Sequence, residues 1–185
     1  MKKYELTEET VTVYGKTLYR IRAVRDFGSV KTGEFGGYIE KEENLSHFGD
    51  AWVYGDARVY GDARVSGNAR VFGNAWVYGE ARVSGNAKVY GDARVSGNAW
   101  VYGNAEVFNT RHFFVQGPIG SRDGYVTFYR TKDDTVGVRC GCFSGSLQEF
   151  VNQVEKTHGG SRYEKEYKLA AELAKVCIRL EGESR

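Results

Sequence analysis

A chain of 185 residues has room for one domain or two small ones. A formal net charge of +2 neither demands a polyanionic partner nor suggests a polyanion mimic, and no stretch approaches the run of about eighteen apolar residues that a membrane helix needs. The start, Met1-Lys2-Lys3-Tyr4-Glu5, lacks an apolar signal core, and three cysteines, an odd number, argue against a secreted disulfide framework, so a cytoplasmic protein is expected.

Residues 1–44 read as an N-terminal cap. Thr10 to Tyr14 alternates, Gly15-Lys16 can turn, and Thr17 to Val24 alternates again, which is the pattern of a hairpin. Gly33, Gly36 and Gly37 interrupt the chain before Tyr38-Ile39-Glu40. A stacked fold needs such a cover, because an open end invites end-to-end polymerisation.

Residues 45–109 carry a repeat. From Asp50 to Phe108 one phrase, Gly-Asp/Asn-Ala-x-Val-x, returns every six residues with little variation, and Ala51 to Ala105 and Val53 to Val107 keep step throughout. In a strand, residues two apart share a face, so Ala and Val point inward and the residues beside them outward. Gly with Asp or Asn makes the corner, where positive φ is cheap for Gly and tolerable for the others. Three units close a coil, giving a vertical repeat of eighteen residues in which small Ala keeps the interior narrow and Val stacks into an apolar column. Asn44-Leu45-Ser46-His47-Phe48-Gly49 reads as a first, imperfect unit, with Leu45 in the Ala place and His47 in the inward Val place.

Taken eighteen apart, the outward residues form columns. Tyr54, Phe72, Tyr90 and Phe108 make one that is aromatic throughout, and Trp52 stands beside it. Rungs lie about 4.8 Å apart, so such a column is a contiguous, sticky ladder. It reads as a subunit interface, as a docking surface for the chain's own C-terminal region, or as a place for a ligand to stack. The arginine columns either meet phosphates or lie across Tyr and Trp faces and pair with Asp56, Asp62, Glu80 and Asp92. The repeat contains no Thr, which excludes a flat ice-binding Thr ladder.

Residues 110–185 drop the repeat and read as an α+β unit of three strands and two helices. Arg111 to Gln116, Tyr125 to Arg130 and Thr135 to Cys140 are the strands; Ser146-Leu147-Gln148-Glu149 and Ser161-Arg162-Tyr163-Glu164 are capping boxes that open the helices. The glycine-rich loop from Gly117 to Gly124 is the candidate anion site. Gly117 and Gly120 expose backbone N–H groups, Ser121 adds a hydroxyl and Arg122 a planar cation, a set that suits phosphate or carboxylate. Tyr125, Tyr163 and Tyr167 are placed to stack on a base, or equally to pack a core. Cys140-Gly141-Cys142 is too tight for a zinc knuckle and no second close pair exists, so no metal is expected.

The repeat, in phrases such as Val59-Tyr60-Gly61-Asp62-Ala63, resembles the hexapeptide-repeat family. That resemblance implies a left-handed parallel β-helix and trimers packed along its outward faces. Acyltransferases of the family use a His base near a cleft between neighbouring β-helices, but here no His interrupts the run from Asp50 to Phe108, so only His47 and His112 stand as weak candidates. The whole chain, through Leu18-Tyr19-Arg20-Ile21-Arg22-Ala23, Gly36-Gly37-Tyr38-Ile39-Glu40, Gly117-Pro118-Ile119-Gly120-Ser121-Arg122 and Cys140-Gly141-Cys142-Phe143, is similar to a group of small proteins encoded by bacterial viruses and prophages. This second resemblance implies a viral origin and no particular activity; small non-structural phage proteins often counter host defence, by blocking an effector or sequestering a nucleotide signal, and that habit sets the expectation here. The expectation is therefore a mainly β protein: a left-handed parallel β-helix with an N-terminal β cap and a small C-terminal α+β domain. Its expected role is a non-enzymatic homotrimer that needs no cofactor and holds a nucleotide-like small molecule or a host defence protein, with membrane and nucleic acid not expected as partners. An acyl-CoA-dependent acyltransferase and a structural trimerisation scaffold are the alternatives.

Overall fold

The computed structural model describes residues 2–181 and is mainly β: a parallel β-solenoid lies between an N-terminal antiparallel hairpin and a C-terminal antiparallel sheet backed by two helices. No helix among the described residues is long and apolar enough to cross a membrane. Strands β1 (Tyr4–Val13) and β2 (Lys16–Ala23) form the hairpin. Its turn falls at Tyr14 and Gly15, with φ of 48° and 78°, one residue earlier than the sequence suggests, because a two-residue turn that matches strand twist wants positive φ at both positions. β2 pairs with β3 (Phe35–Ile39), and β3 pairs in parallel with the first solenoid face, so the cap extends that face by continuous hydrogen bonding.

Ten two-residue strands follow, β4 to β13, each an outward residue and an inward Val, from Trp52–Val53 to Glu106–Val107. They build three faces. The first carries Arg58, Trp76 and Arg94, the second Trp52, Arg70, Lys88 and Glu106, and the third Arg64, Arg82 and Trp100. With β3 on the first face and a bridge from Leu45 to Val65 on the third, each face is four rungs deep. Every Ala and Val of the repeat is buried, and each buried Val contributes roughly 1.5–3 kcal/mol of transfer free energy.

The first turn departs from the expected register. Ile39 lies against Val59 and Leu45 against Val65, twenty residues apart rather than the eighteen of Val53 and Val71. Leu45, not His47, therefore takes the Val place, and the solenoid begins inside the segment expected to be only a cap. His47 leaves the column and stacks on Tyr4, ring centroids 4.3 Å apart.

The corners also differ in detail. Gly alone takes positive φ there, for example 71° at Gly85, while the following Asn or Asp does not. A Cβ on Gly85 would stand 2.8 Å from the Gly103 nitrogen of the next coil, so the corner needs Gly for its close approach as well as its φ. The Asn residues link coils through their amides, as Asn68 Nδ2 donates to Asn86 Oδ1 at 3.1 Å.

Each rung donates its N–H groups forward: Arg58 to the Ala75 carbonyl at 2.9 Å, Tyr60 to Val77 at 3.0 Å. The first turn is thus left with spare carbonyls and the last with spare N–H groups, and buried backbone groups of either kind need partners. At the first turn the Lys3 ammonium donates to Ala51 at 2.6 Å, and the Asn44 amide donates to Ala63 at 2.8 Å. At the last turn Thr127 Oγ1 accepts the Trp100 N–H at 2.9 Å, and His112 Nδ1 lies 3.4 Å from the Phe108 nitrogen.

The C-terminal sheet has four strands, β14 (Phe113–Ile119), β15 (Gly124–Arg130), β16 (Val136–Cys140) and β17 (Phe143–Ser146), in that order and all antiparallel. The fourth escaped the sequence reading because Ser146 both ends β17 and caps α1 (Leu147–His158), so strand passes into helix without a loop. α2 (Arg162–Cys177) follows, capped by Ser161. Strand alternation sorts the two sides of β15: Val126 and Phe128 pack with Phe150, Val154 and Ala171 under the helices, whereas Thr127 and Tyr129 face the solenoid.

Candidate functional site

The sheet packs on the last turn of the solenoid, β15 against β12 and β13, with the helices on its far side, and a cleft of about 660 Å3 opens beside the third face. The solenoid contributes Glu80, Arg82, Asn98 and Trp100; the sheet contributes Tyr125, Thr127 and the Arg139–Phe143 hairpin; the helices contribute Gln153, Thr157, His158 and Tyr167; and Ser121 and Arg122 come from the β14–β15 loop. The lining holds three arginines and one glutamate, so it carries a net positive charge.

Trp100 organises the cationic side. The Arg139 guanidinium lies over its ring at 4.1 Å from the centroid and the Arg82 guanidinium at 5.4 Å. Arg139 also lies 4.9 Å from the Tyr102 ring. Stacked guanidiniums keep their N–H edges for in-plane acceptors. Among the described residues none of Arg82, Arg122 and Arg139 makes an ion pair, and the Arg139 Nε is buried with no hydrogen-bond partner. Arg130, at the end of β15, is ion-paired with Asp134 at 2.7 Å and Glu181 at 2.9 Å and lies over Phe108, although its Nη1 is also buried with no hydrogen-bond partner.

Of the residues singled out in the loop, Ser121 and Arg122 reach the cleft, as do Tyr125 and Tyr167. Gly117 and Gly120 do not line it and have packing roles. A Cβ on Gly117 would stand 2.4 Å from the Tyr125 ring, and one on Gly120 only 1.9 Å from the Tyr167 hydroxyl oxygen. The Gly120 N–H, expected to be open to an anion, donates instead to Glu166 at 2.7 Å, so the loop already binds a carboxylate of its own chain. Tyr163 packs beside His158 and under Arg162, away from the cleft. Tyr167 sits between Phe150 and His158, and burial pushes its phenol up to about 12. Burial likewise pushes the Cys140 thiol up, while Cys142 is exposed.

Neither histidine weighed as a catalytic base lies in the cleft. His47 is held against Tyr4. His112 is buried, edge-on to Phe108 at 4.0 Å, and burial with the nearby Arg130 pushes its imidazole down to about 4. His158 does line the cleft. The sequence alone does not place it there, nor does it join Arg82 and Trp100 of the outward columns to Arg139, because the elements carrying them meet only through the tertiary fold. Among the described residues no three His, Cys, Asp or Glu side chains gather as a metal site requires.

The aromatic column is real, but its two ends are closed from within the chain. Phe72 and Tyr90 stack at 4.7 Å and 1°, and Tyr90 meets Phe108 at 5.2 Å. His112 and Arg130 cover Phe108, and Tyr54 abuts Trp52 at 6.5 Å. Trp52 itself is fully buried under Tyr4 and Phe27, which corrects its reading as an outward interface residue. The start of β1 and the connection between β2 and β3, laid over the first turn, are the physical reason.

The YdcK beta-solenoid repeat matches the chain at residues 63–79 and 87–103, both within the stack of rungs. No curated protein matches the chain. The match and the three-faced parallel stack agree on one statement: the chain is built on a repeat β-solenoid.

Proposed function

We propose that the protein is a non-enzymatic binding protein whose cleft holds a phosphate-bearing, nucleotide-sized molecule. The observation that carries this reading is the set of unpaired arginines, Arg82, Arg122 and Arg139, brought from three separate elements to one cleft beside Tyr125 and Trp100. Small-molecule sites span roughly 300–1,000 Å3 and combine apolar walls with a few placed polar groups, a description this cleft fits. In this reading the protein sequesters its ligand and acts in counter-defence in a bacterial host, in keeping with the habit of small phage proteins. The proposal includes the left-handed coil and self-association as a homotrimer through the half-buried Phe72 and Tyr90.

Native mass spectrometry of protein purified gently from bacteria with active nucleotide signalling tests it. The expected result is extra mass of a few hundred daltons per site, lost in Arg122→Glu and in Arg139→Ala while folding is retained. Unliganded protein in repeated preparations, with no thermal shift on adding nucleotides, would overturn it and leave a scaffold or a protein-binding role.

A further inference from the structure

The third solenoid face differs from the other two in how it treats neighbouring cations. On the first face Trp76 separates Arg58 from Arg94, whose guanidiniums lie 5.1 and 5.0 Å from its ring. On the second, Lys88 follows Arg70 but is neutralised by Glu106 at 2.8 Å. On the third, Arg64 and Arg82 are direct partners in adjacent rungs, both exposed, with no aromatic ring between them and no ion pair to either among the described residues. Like charges directly opposite on a sheet are destabilising by a few tenths of a kcal/mol or more. The companion column differs as well: the first face has Tyr60 and Tyr78 and the second Phe72 and Tyr90, but the third has Ser66 and Ser84, which leave the arginines uncovered.

Arg82 lines the cleft and Arg64 stands one rung outside it. The pair therefore prolongs the cationic cleft along the solenoid by about 4.8 Å, within a side chain's reach of a second phosphate on the same ligand. The track stops there, since the rung beyond is Leu45 with buried Asn44, whose amide is spent on solenoid carbonyls. Two rungs suit a short ligand better than a strand. Resting on the proposed function of the cleft, we infer that the ligand is a nucleotide carrying two separated phosphoryl groups, one held by Arg122 and Arg139 and the other by Arg82 and Arg64.

Calorimetric titration with AMP and with the 5′-phosphorylated dinucleotide pApA tests the inference. Wild-type protein is expected to bind pApA at least about tenfold more tightly than AMP, one charge-assisted contact being of that order. Arg64→Ser, at an exposed position outside the cleft, is expected to erase most of that preference and leave AMP affinity within twofold. Binding of both probes with Arg64→Ser changing neither, or both equally, would overturn the two-phosphate inference while leaving the cleft reading intact. Affinity that keeps climbing with longer oligoadenylates would assign the track to single-stranded nucleic acid and overturn it too. If neither probe binds wild-type protein at millimolar concentration, the cleft reading fails and the inference with it.

Discussion

Thr127 Oγ1 accepts the backbone N–H of Trp100 at 2.9 Å, the place where one further coil of the solenoid would have offered a carbonyl. Arg82, one rung back, makes the regular form of this bond to Ala99 at 2.8 Å. A side-chain hydroxyl on β15 thus ends the ladder and seats the sheet against the solenoid beside the cleft. Thr127→Val keeps the shape and removes the acceptor, leaving a buried N–H unpaired at a cost of about 1–3 kcal/mol. Thr127→Ser is expected to recover most of it. Denaturant unfolding of the three proteins checks this; equal midpoints for Val and Thr would show that the bond is not what holds the sheet there.

The opposite end has the complementary need, for donors, and Lys3 supplies them. Its ammonium reaches the Ala51 carbonyl at 2.6 Å and Gly49 at 3.3 Å, and lies 4.9 Å from the Phe27 ring centroid. Burial pushes this ammonium down to about 8, against the opposing pull of Asp50. Lys3→Met preserves length and apolar stem but donates nothing, so a loss of about 2–3 kcal/mol is expected from the stranded carbonyls. Lys3→Arg is expected to be milder. If Lys3→Met melts with wild type, the first turn must find its donors elsewhere.

These ends show what a sequence can disclose and what it cannot. The interior was legible because period six with Ala and Val two apart admits one arrangement of inside and outside. The caps were not, since Lys3 and Thr127 do their work through contacts 48 and 27 residues away in the chain. The two-residue slip before the regular repeat was hidden because Leu45 and His47 both fit a hexapeptide template, and only pairing with Val65 decides between them. In the cleft, Ser121 and Arg122 were readable from local composition, but Arg82 and Arg139 gain meaning only when Trp100 brings them together.

His112 was weighed as a base and has a structural role instead. Its Nδ1 faces the Phe108 N–H, so the neutral ring is the form that fits, and burial with Arg130 holds it down at about 4. An unfolded histidine titrates near 6.5. Between those values the unfolded chain binds the extra proton, so stability rises with pH across the window. The contribution is complete above about pH 6.5 and is lost as pH falls through about 4, to an extent of up to about 3 kcal/mol. Carboxylates titrate in the same range, so the informative quantity is the difference between wild type and His112→Gln. That difference is expected to shrink from pH 7 to pH 4; parallel stability curves would remove His112 from the account.

Cys140 and Cys142 place two thiols of unequal reactivity in the cleft, with Cys177 on α2 as an internal control outside it. The thiolate is the reactive form, and burial raises the Cys140 pKa while its neighbour Tyr167 offers only a partial offset. Cys142 stands exposed on the β16–β17 turn. Iodoacetamide at pH 8 is therefore expected to modify Cys142 first, with Cys140 slower by roughly tenfold or more. An occupant of the cleft should protect Cys142 and leave the rate at Cys177 unchanged, which separates binding from general tightening of the fold. Peptide mass spectrometry over a time course, with and without pApA, reads all three sites at once. Protection of all three cysteines would indicate global stabilisation rather than occupancy, and equal labelling of Cys140 and Cys142 would mean that the hairpin opens faster than the reagent reacts.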